Sequence, residues 1–313
     1  MKYLCISAVR ALVLVTLSAC YKALVPAPEK VAAWTVNLRD AQPDDTFAAV
    51  YRYEDNYLVF VGAQHATKAD SLTFQVIDDA YGYFTFDTVV VEGPKYSNGA
   101  NAERLMSWID SQHEINGFVE GGEIVPAVNG ARVQGASVFG GEPDDVEVFS
   151  RVLTQGFSAE DLLGFHTLRS VPQWVREQKI VDAGDAGVEA LITSALLRNR
   201  ERLALSLAVL PGYDEWAQWY TQTNGKPFGR YFDPEEVGPL ADGPYKSNRI
   251  ATAISRARDE FLLHKIAYHL NAGQNVLIVF GESHLMILRP ALDHMLGEPC
   301  HLGANLASAR RQC

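Results

Sequence analysis

Two apolar runs in this chain end in the same kind of turn. Tyr57-Leu58-Val59-Phe60-Val61 leads into Gly62-Ala63-Gln64-His65, and Val276-Leu277-Ile278-Val279-Phe280 leads into Gly281-Glu282-Ser283-His284. Unbroken Val/Ile/Leu/Phe runs of this length suit strands covered on both faces, as in a parallel sheet flanked by helices. In such sheets ligands bind in the crevice outside the carboxyl ends of the strands. A glycine there lets the chain turn sharply, and a histidine three residues on faces the crevice. A third run, Val89-Val90-Val91, ends in Glu92-Gly93. A carboxylate closing a buried strand costs free energy unless it finds a partner, so the three strand ends are expected to build one site.

The rest of the pattern fits an α/β class with a mainly parallel sheet and flanking helices. Residues 47–52 and 57–61 flank a hairpin turn at Glu54-Asp55-Asn56. Apolar spacing predicts a helix over 70–84, a strand at 88–91, a helix around Leu105 to Ile109, and a short strand at 136–139 ending in Gly140-Gly141-Glu142-Pro143. Strand–helix–strand alternation implies right-handed crossovers. Between 146 and 245 the signals are helical only (146–155, 159–179, 187–207 and 214–223), followed by a Gly/Pro-rich stretch at 225–247. This predicts an all-helical insertion, a lid, between the two halves of the core. The α/β pattern resumes with a long helix over 248–270, the strand 276–280 and a closing helix over 285–295. The expected organisation is a core of 46–145 and 246–298, the insertion at 146–245 and a tail at 299–313.

The N-terminus reads as an export signal. Lys2 and Arg10 accompany the apolar run Ala11–Leu17, which is too short to span a bilayer, and Leu17-Ser18-Ala19-Cys20 has the form of a lipobox. Residues 1–19 are therefore expected to be a signal peptide, with Cys20 lipidated and 20–45 a tether. Its stretch over 21–36, about 16 residues, extends to roughly 50 Å. The protein is expected to sit lipid-anchored at the outer membrane or cell surface. Loss of Lys2 and Arg10 with the signal takes the net charge from −11 to −13, which argues against nucleic acid as a partner. Cys300 and Cys313 remain as a pair, either joined in a disulfide or free in a frayed tail.

His65, His284, Glu92 and Glu142 are the groups placed at strand ends. Two imidazoles and one or two carboxylates suit a divalent metal such as Zn, Mn or Co. The same set suits metal-free chemistry, with Glu92 orienting a histidine that takes a proton from water. Arg258, on the helix feeding the His284 strand, is placed to meet a substrate carboxylate or a developing oxyanion. A serine nucleophile lacks its Gly-x-Ser-x-Gly elbow, because Gly281-Glu282-Ser283-His284 has no second glycine. No Gly-rich nucleotide loop follows a strand.

The set Gly62–His65, Val89-Val90-Val91-Glu92-Gly93, Arg258-Asp259 and Gly281–His284 resembles the superfamily of erythromycin esterase, the ChaN haem-binding lipoproteins and the TraB/Tiki proteins. The resemblance covers about residues 46–145 and 246–298. It implies an α/β sheet with the site at the strand ends, catalytic roles for His65, Glu92, His284 and Arg258, and a ligand set of His65, Glu92, Glu142 and His284 if a metal binds. It also implies hydrolysis of a peptide or ester carbonyl, metal-dependent as in the Tiki peptidases, or, on the ChaN side, haem or another apolar ligand bound without catalysis. Tyr81 and Tyr96 are the candidates for a haem axial ligand.

Overall fold

A computed structural model describes residues 23–96 and 100–313. Residues 1–19, expected to be a signal peptide, and Cys20 lie outside the described residues. A short helix α1 (Val36–Asp40) precedes the hairpin of β1 (Phe47–Tyr53) and β2 (Asn56–Ala63), which leads into helix α2 (Leu72–Tyr83) and strand β3 (Thr88–Lys95). Helix α3 (Ala100–Asp110), a small ribbon of β4 (Glu114–Ile115) and β5 (Phe118–Val119), and helix α4 (Ile124–Gln134) connect β3 to β6 (Ser137–Glu142). Next come α5 (Asp145–Thr154), α6 (Ala159–Leu168), α7 (Val171–Arg176), α8 (Val188–Arg202) and α9 (Tyr213–Asn224). The chain then closes with α10 (Lys246–Asn271), β7 (Val276–Gly281), α11 (Glu282–Leu296), β8 (His301–Gly303) and α12 (Leu306–Gln312).

The sheet order is β6-β3-β7-β2-β1-β8. The four strands from β6 to β2 run parallel, while β1 and then β8 extend the sheet antiparallel at one edge. Period-two alternation sorts the strand side chains between two cores. Val59, Val61, Val89, Val91, Leu277 and Val279 face α2, α4 and α12, whereas Leu58, Phe60, Val90, Ile278 and Phe280 face α10 and α11. Because both faces are covered, these runs are apolar at every position rather than at every second one. Each fully buried side chain of this size contributes roughly 1.5–3 kcal/mol, which fixes the register. One row of that register, Val61–Val279–Val91–Gly140, crosses all four parallel strands. The chain segments just beyond it therefore emerge side by side.

Between β6 and α10 the described chain is helical, without a strand, and packs around a third core that includes Leu162, Leu163, Ile192, Leu196, Trp216 and Tyr220. Helix α10 belongs to two cores at once. Its N-terminal half buries Ile250, Ala253, Ile254 and Ala257 among the inserted helices, and its C-terminal half buries Leu262, Leu263, Ile266 and Leu270 on the sheet.

Two expectations are corrected, and the alternative left open for Cys300 and Cys313 is decided. The single helix over 159–179 is two helices, α6 and α7, with Pro172 at the start of the second, where a missing N–H costs little. Residues 24–45 do not trail as a tether. Leu24 N–H donates to Asn271 at 2.7 Å, Ala32 N–H donates to the Ile287 carbonyl at 2.9 Å, and Val31 and Trp34 are buried against the α10–α11 layer. The apolar residues of this segment gain more from burial than the strap loses in chain freedom. The tail is also ordered: β8 pairs with β1 over Ala48–Val50, α12 packs on the α2 side, and Cys300 and Cys313 form a disulfide.

Candidate active site

The strand ends bring His65, Glu92, Glu142 and His284 together with Arg258, in an arrangement built around Glu92. Its Oε2 accepts the Gly281 N–H at 2.7 Å. That amide opens α11, so Glu92 supplies an acceptor to a helix N-terminus that lacks one internally. Its Oε1 accepts from Arg258 Nη2 at 3.0 Å and lies 3.4 Å from His284 Nε2. Burial opposes its negative charge, but His284, Arg258 and the Gly281 amide outweigh it and hold the carboxyl far below the usual range. Glu92 is ionised at any working pH and fully engaged.

Arg258 is locked side-on by Glu142, with Nε donating to Oε2 at 2.6 Å and Nη2 donating to Oε1. This two-pronged match of guanidinium and carboxylate is the strongest protein ion pair. Burial works against the charge, yet Glu142 first and Glu92 next raise the guanidinium above its ordinary value. Among the described residues, Arg258 Nη1 donates to no protein acceptor.

His284 was expected as a loop histidine facing the crevice. Instead α11 begins at Glu282, directly after the strand, and His284 lies in its first turn, 6% exposed. Its Nδ1 bonds Asp259 at 2.5 Å. Desolvation pulls the pKa down, but Asp259 and then Glu92 carry it up to about 10. A positive side chain at a helix N-terminus opposes the helix dipole, and two carboxylates are what it takes to hold it there. With a carboxylate at each ring nitrogen, His284 is held as the imidazolium at neutral pH, where it has no lone pair for a proton or a metal.

His65 differs from it in every respect. It follows β2 in a turn held by the Gln64 N–H donating to Thr46 at 2.9 Å and by Thr73 donating to the Gln64 carbonyl at 2.7 Å. Its side chain is 67% exposed and its Nδ1 lies 2.6 Å from Glu123 Oε1. The other Glu123 oxygen accepts the Ala66 N–H at 3.3 Å, so the carboxylate is clamped to the same turn. A carboxylate has no proton to give; His65 donates through Nδ1, which leaves Nε2 as the basic nitrogen. The bond to Glu123 raises the His65 pKa, against partial burial. The free Nε2 points toward the Glu92 side of the site: a Cβ built on Gly281 would stand 3.2 Å from Glu92 Oε2 and 3.3 Å from His65 Nε2. Gly281 therefore keeps open the gap between them. Gly62 permits the equally close approach of the two turns, since its Cβ would lie 3.1 Å from the Glu282 Cα.

His65, Glu92, Arg258 and His284 line one open pocket of about 350 Å³, walled on one side by α10 through Ala251, Ser255 and Arg258, while Glu142, Asp259 and Glu123 stand behind its wall as their partners. The metal expectation meets a donor set already spent. Metal-binding imidazole must be neutral, but His284 is protonated, and the oxygens of Glu92 and Glu142 hold Arg258. No three His, Cys, Asp or Glu side chains among the described residues are grouped to hold an ion. As arranged, the residues do not fit a divalent cation. The tyrosines considered for haem are also engaged elsewhere: Tyr81 donates to the Ala127 carbonyl, and Tyr96 stacks on Phe139 and meets His269 at 3.3 Å. Neither lines the strand-end pocket.

Sequence reasoning missed Glu123 and gave no role of its own to Asp259. Glu123 had no periodic signal, sitting 58 residues from His65 at the cap of a helix that the pattern did not reveal. Asp259 carried one available clue, its adjacency to Arg258 on a helix leading to the His284 strand. No family model matches this chain, and neither does any curated protein or solved structure.

Proposed function

We propose that the chain is a hydrolase of carboxylic esters or amides that works without a metal and uses His65 as its general base. The observation that carries this reading is the contrast between its two histidines: both ring nitrogens of the buried His284 face carboxylates, Asp259 and Glu92, while His65 presents a free, Glu123-oriented Nε2 to the pocket beside Arg258. In the first step, His65 Nε2 takes a proton from water as the water oxygen bonds to the carbonyl carbon. The carbonyl electron pair moves to oxygen, and Arg258 Nη1, the one guanidinium nitrogen without a protein acceptor, donates to that oxyanion. Collapse restores the carbonyl and expels the alkoxide or amine, which takes the proton back from His65. Glu92, Glu142, Asp259 and His284 are positioning residues, holding Arg258 and the Gly281 turn so that nothing reorganises as charge develops. The resemblance of the two Gly-x-x-His turns to the erythromycin esterase and Tiki superfamily supports hydrolysis of a carbonyl, though not its metal-free form, and the lipobox form of Leu17-Ser18-Ala19-Cys20 supports a lipid-anchored location at the outer membrane or cell surface.

The test assays the purified protein on p-nitrophenyl butyrate, a macrolide lactone and a fluorogenic peptide. His65→Ala should lower kcat by about 10²–10⁴-fold while the Tm stays within a few degrees, because His65 is exposed. Full activity in His65→Ala, or no hydrolysis of any probe by the parent, overturns the proposal.

A further inference from the structure

The pocket mouth is lined by residues that the proposed chemistry does not use. Phe165, Arg169, Pro172 and Arg176 line it from the inserted helices. Their spacing of four, three and four is that of one helical face. The face stays continuous across the junction of α6 and α7 because both boundary residues, Arg169 (φ −63°, ψ −13°) and Ser170 (φ −79°, ψ −19°), keep right-handed helical backbone. One stripe of the insertion is thus turned onto the strand-end site and carries two arginines.

Neither arginine has a protein partner of the usual kind. Among the described residues, no carboxylate lies within 4 Å of the Arg169 or Arg176 guanidinium, and neither donates a hydrogen bond. Asp145, the acid that could serve Arg169, is taken by Lys95 at 3.0 Å and Arg202 at 3.3 Å. Arg169 is also crowded by cations. Partial desolvation, then Arg258 and Arg202, pull its guanidinium below the ordinary arginine value, against Glu142 and Asp145. The chain carries 38 acidic residues against 27 basic ones, yet Glu92 is the only acidic side chain on the described wall of this pocket, and Glu92 is already neutralised. An acidic protein that gathers unpaired arginines in its reaction pocket holds a surplus of positive charge there, which focuses the field on an incoming anion.

We infer that Arg169 and Arg176 bind an oxyanion of the substrate, a carboxylate or phosphate on the part remote from the scissile carbonyl, so that this pocket selects acidic esters or amides over neutral ones. The inference rests on the hydrolase reading for the scissile bond, and on the arginine stripe alone for the anion. Guanidinium is the side chain suited to either group, since its planar fork matches two oxygens at once. Placed on the insertion and not on the sheet, the two arginines hold the substrate from a separate element of the same pocket and set the position of its carbonyl against His65.

The test has a catalytic and a non-catalytic arm. In the first, kcat/KM is compared for p-nitrophenyl hemisuccinate and p-nitrophenyl butyrate. The parent should prefer the acidic ester, and Arg169→Ala and Arg176→Ala should each lower the acidic-to-neutral ratio by about tenfold or more, mostly through KM. In the second, succinate and inorganic phosphate are titrated separately into the parent, both arginine variants and His65→Ala by calorimetry. Binding to the parent and His65→Ala that is lost in the arginine variants supports the inference even if no ester is cleaved, and then only the hydrolase reading fails. Tighter binding of succinate or of phosphate tells which oxyanion the stripe suits. Hydrolysis with no preference for the acidic ester, or no binding of either anion to the parent, overturns the inference. Both arginines are exposed and make no ion pair with the rest of the protein, so their variants should melt with the parent.

Discussion

The charge that Asp259 and Glu92 hold on His284 at neutral pH has a consequence for stability that can be worked out and measured. Its pKa stands at about 10 in the folded protein against 6.5 for an ordinary histidine, because Asp259 and Glu92 outweigh the cost of burial. A group whose folded pKa is raised contributes stability that is complete below the unfolded pKa and is lost as pH rises through the folded one. For this pair of values the contribution falls by about 3 kcal/mol between pH 6.5 and pH 9. The perturbation is His284→Gln, which keeps a donor for one carboxylate and cannot titrate. Urea unfolding followed by tryptophan fluorescence at the two pH values gives the stability of each protein. The parent should lose about 3 kcal/mol more than the variant over this interval. Groups that titrate alike in both proteins, such as the buried His166 and His269, drop out of the difference. Equal losses in parent and variant would mean that His284 is neutral in the fold. It could then serve as a base itself, and the division of labour between the two histidines would be refuted.

Three further outcomes follow from the same geometry. The bond to Glu123 raises the His65 pKa, so activity should fall as pH drops through a midpoint above 6.5; Glu123→Gln should move that acid limb to lower pH, and an unmoved limb would remove Glu123 from the site. In Gly281→Ala the new Cβ would sit 3.2 Å from Glu92 Oε2 and 3.3 Å from His65 Nε2, while the backbone (φ −51°) accepts alanine. The rate should drop by about tenfold or more with a Tm change of only a few degrees, and an unchanged rate would show that this spacing is irrelevant. The Cys300–Cys313 disulfide closes a separation of 13 residues, worth about 3 kcal/mol in chain entropy. Cys300→Ser should therefore loosen β8 and α12, seen as faster proteolysis of the C-terminus, and equal proteolysis of parent and variant would mean that packing alone holds the tail.

The sequence by itself determined the parallel strands and the polar residues that end them. Val59, Val61, Val89, Val91, Leu277 and Val279 on one face and Leu58, Phe60, Val90, Ile278 and Phe280 on the other make these runs apolar at every position because both faces of the sheet are covered, and that condition is written locally, residue by residue. The same local logic placed His65, Glu92, Glu142 and His284 at strand ends. Only the tertiary structure decided what each does. Whether His284 is a base or a fixed cation depends on Asp259, on a different helix, and the state of His65 depends on Glu123, 58 residues away. Arg258 meets Glu142 across 116 residues. The strap over residues 24–45 and the three-residue β8 were illegible for a related reason: segments so short or irregular carry no period, and only the surface they cover makes them ordered. Periodicity reports how a segment is buried, whereas charge and reactivity are set by which neighbours the fold brings within about 4 Å.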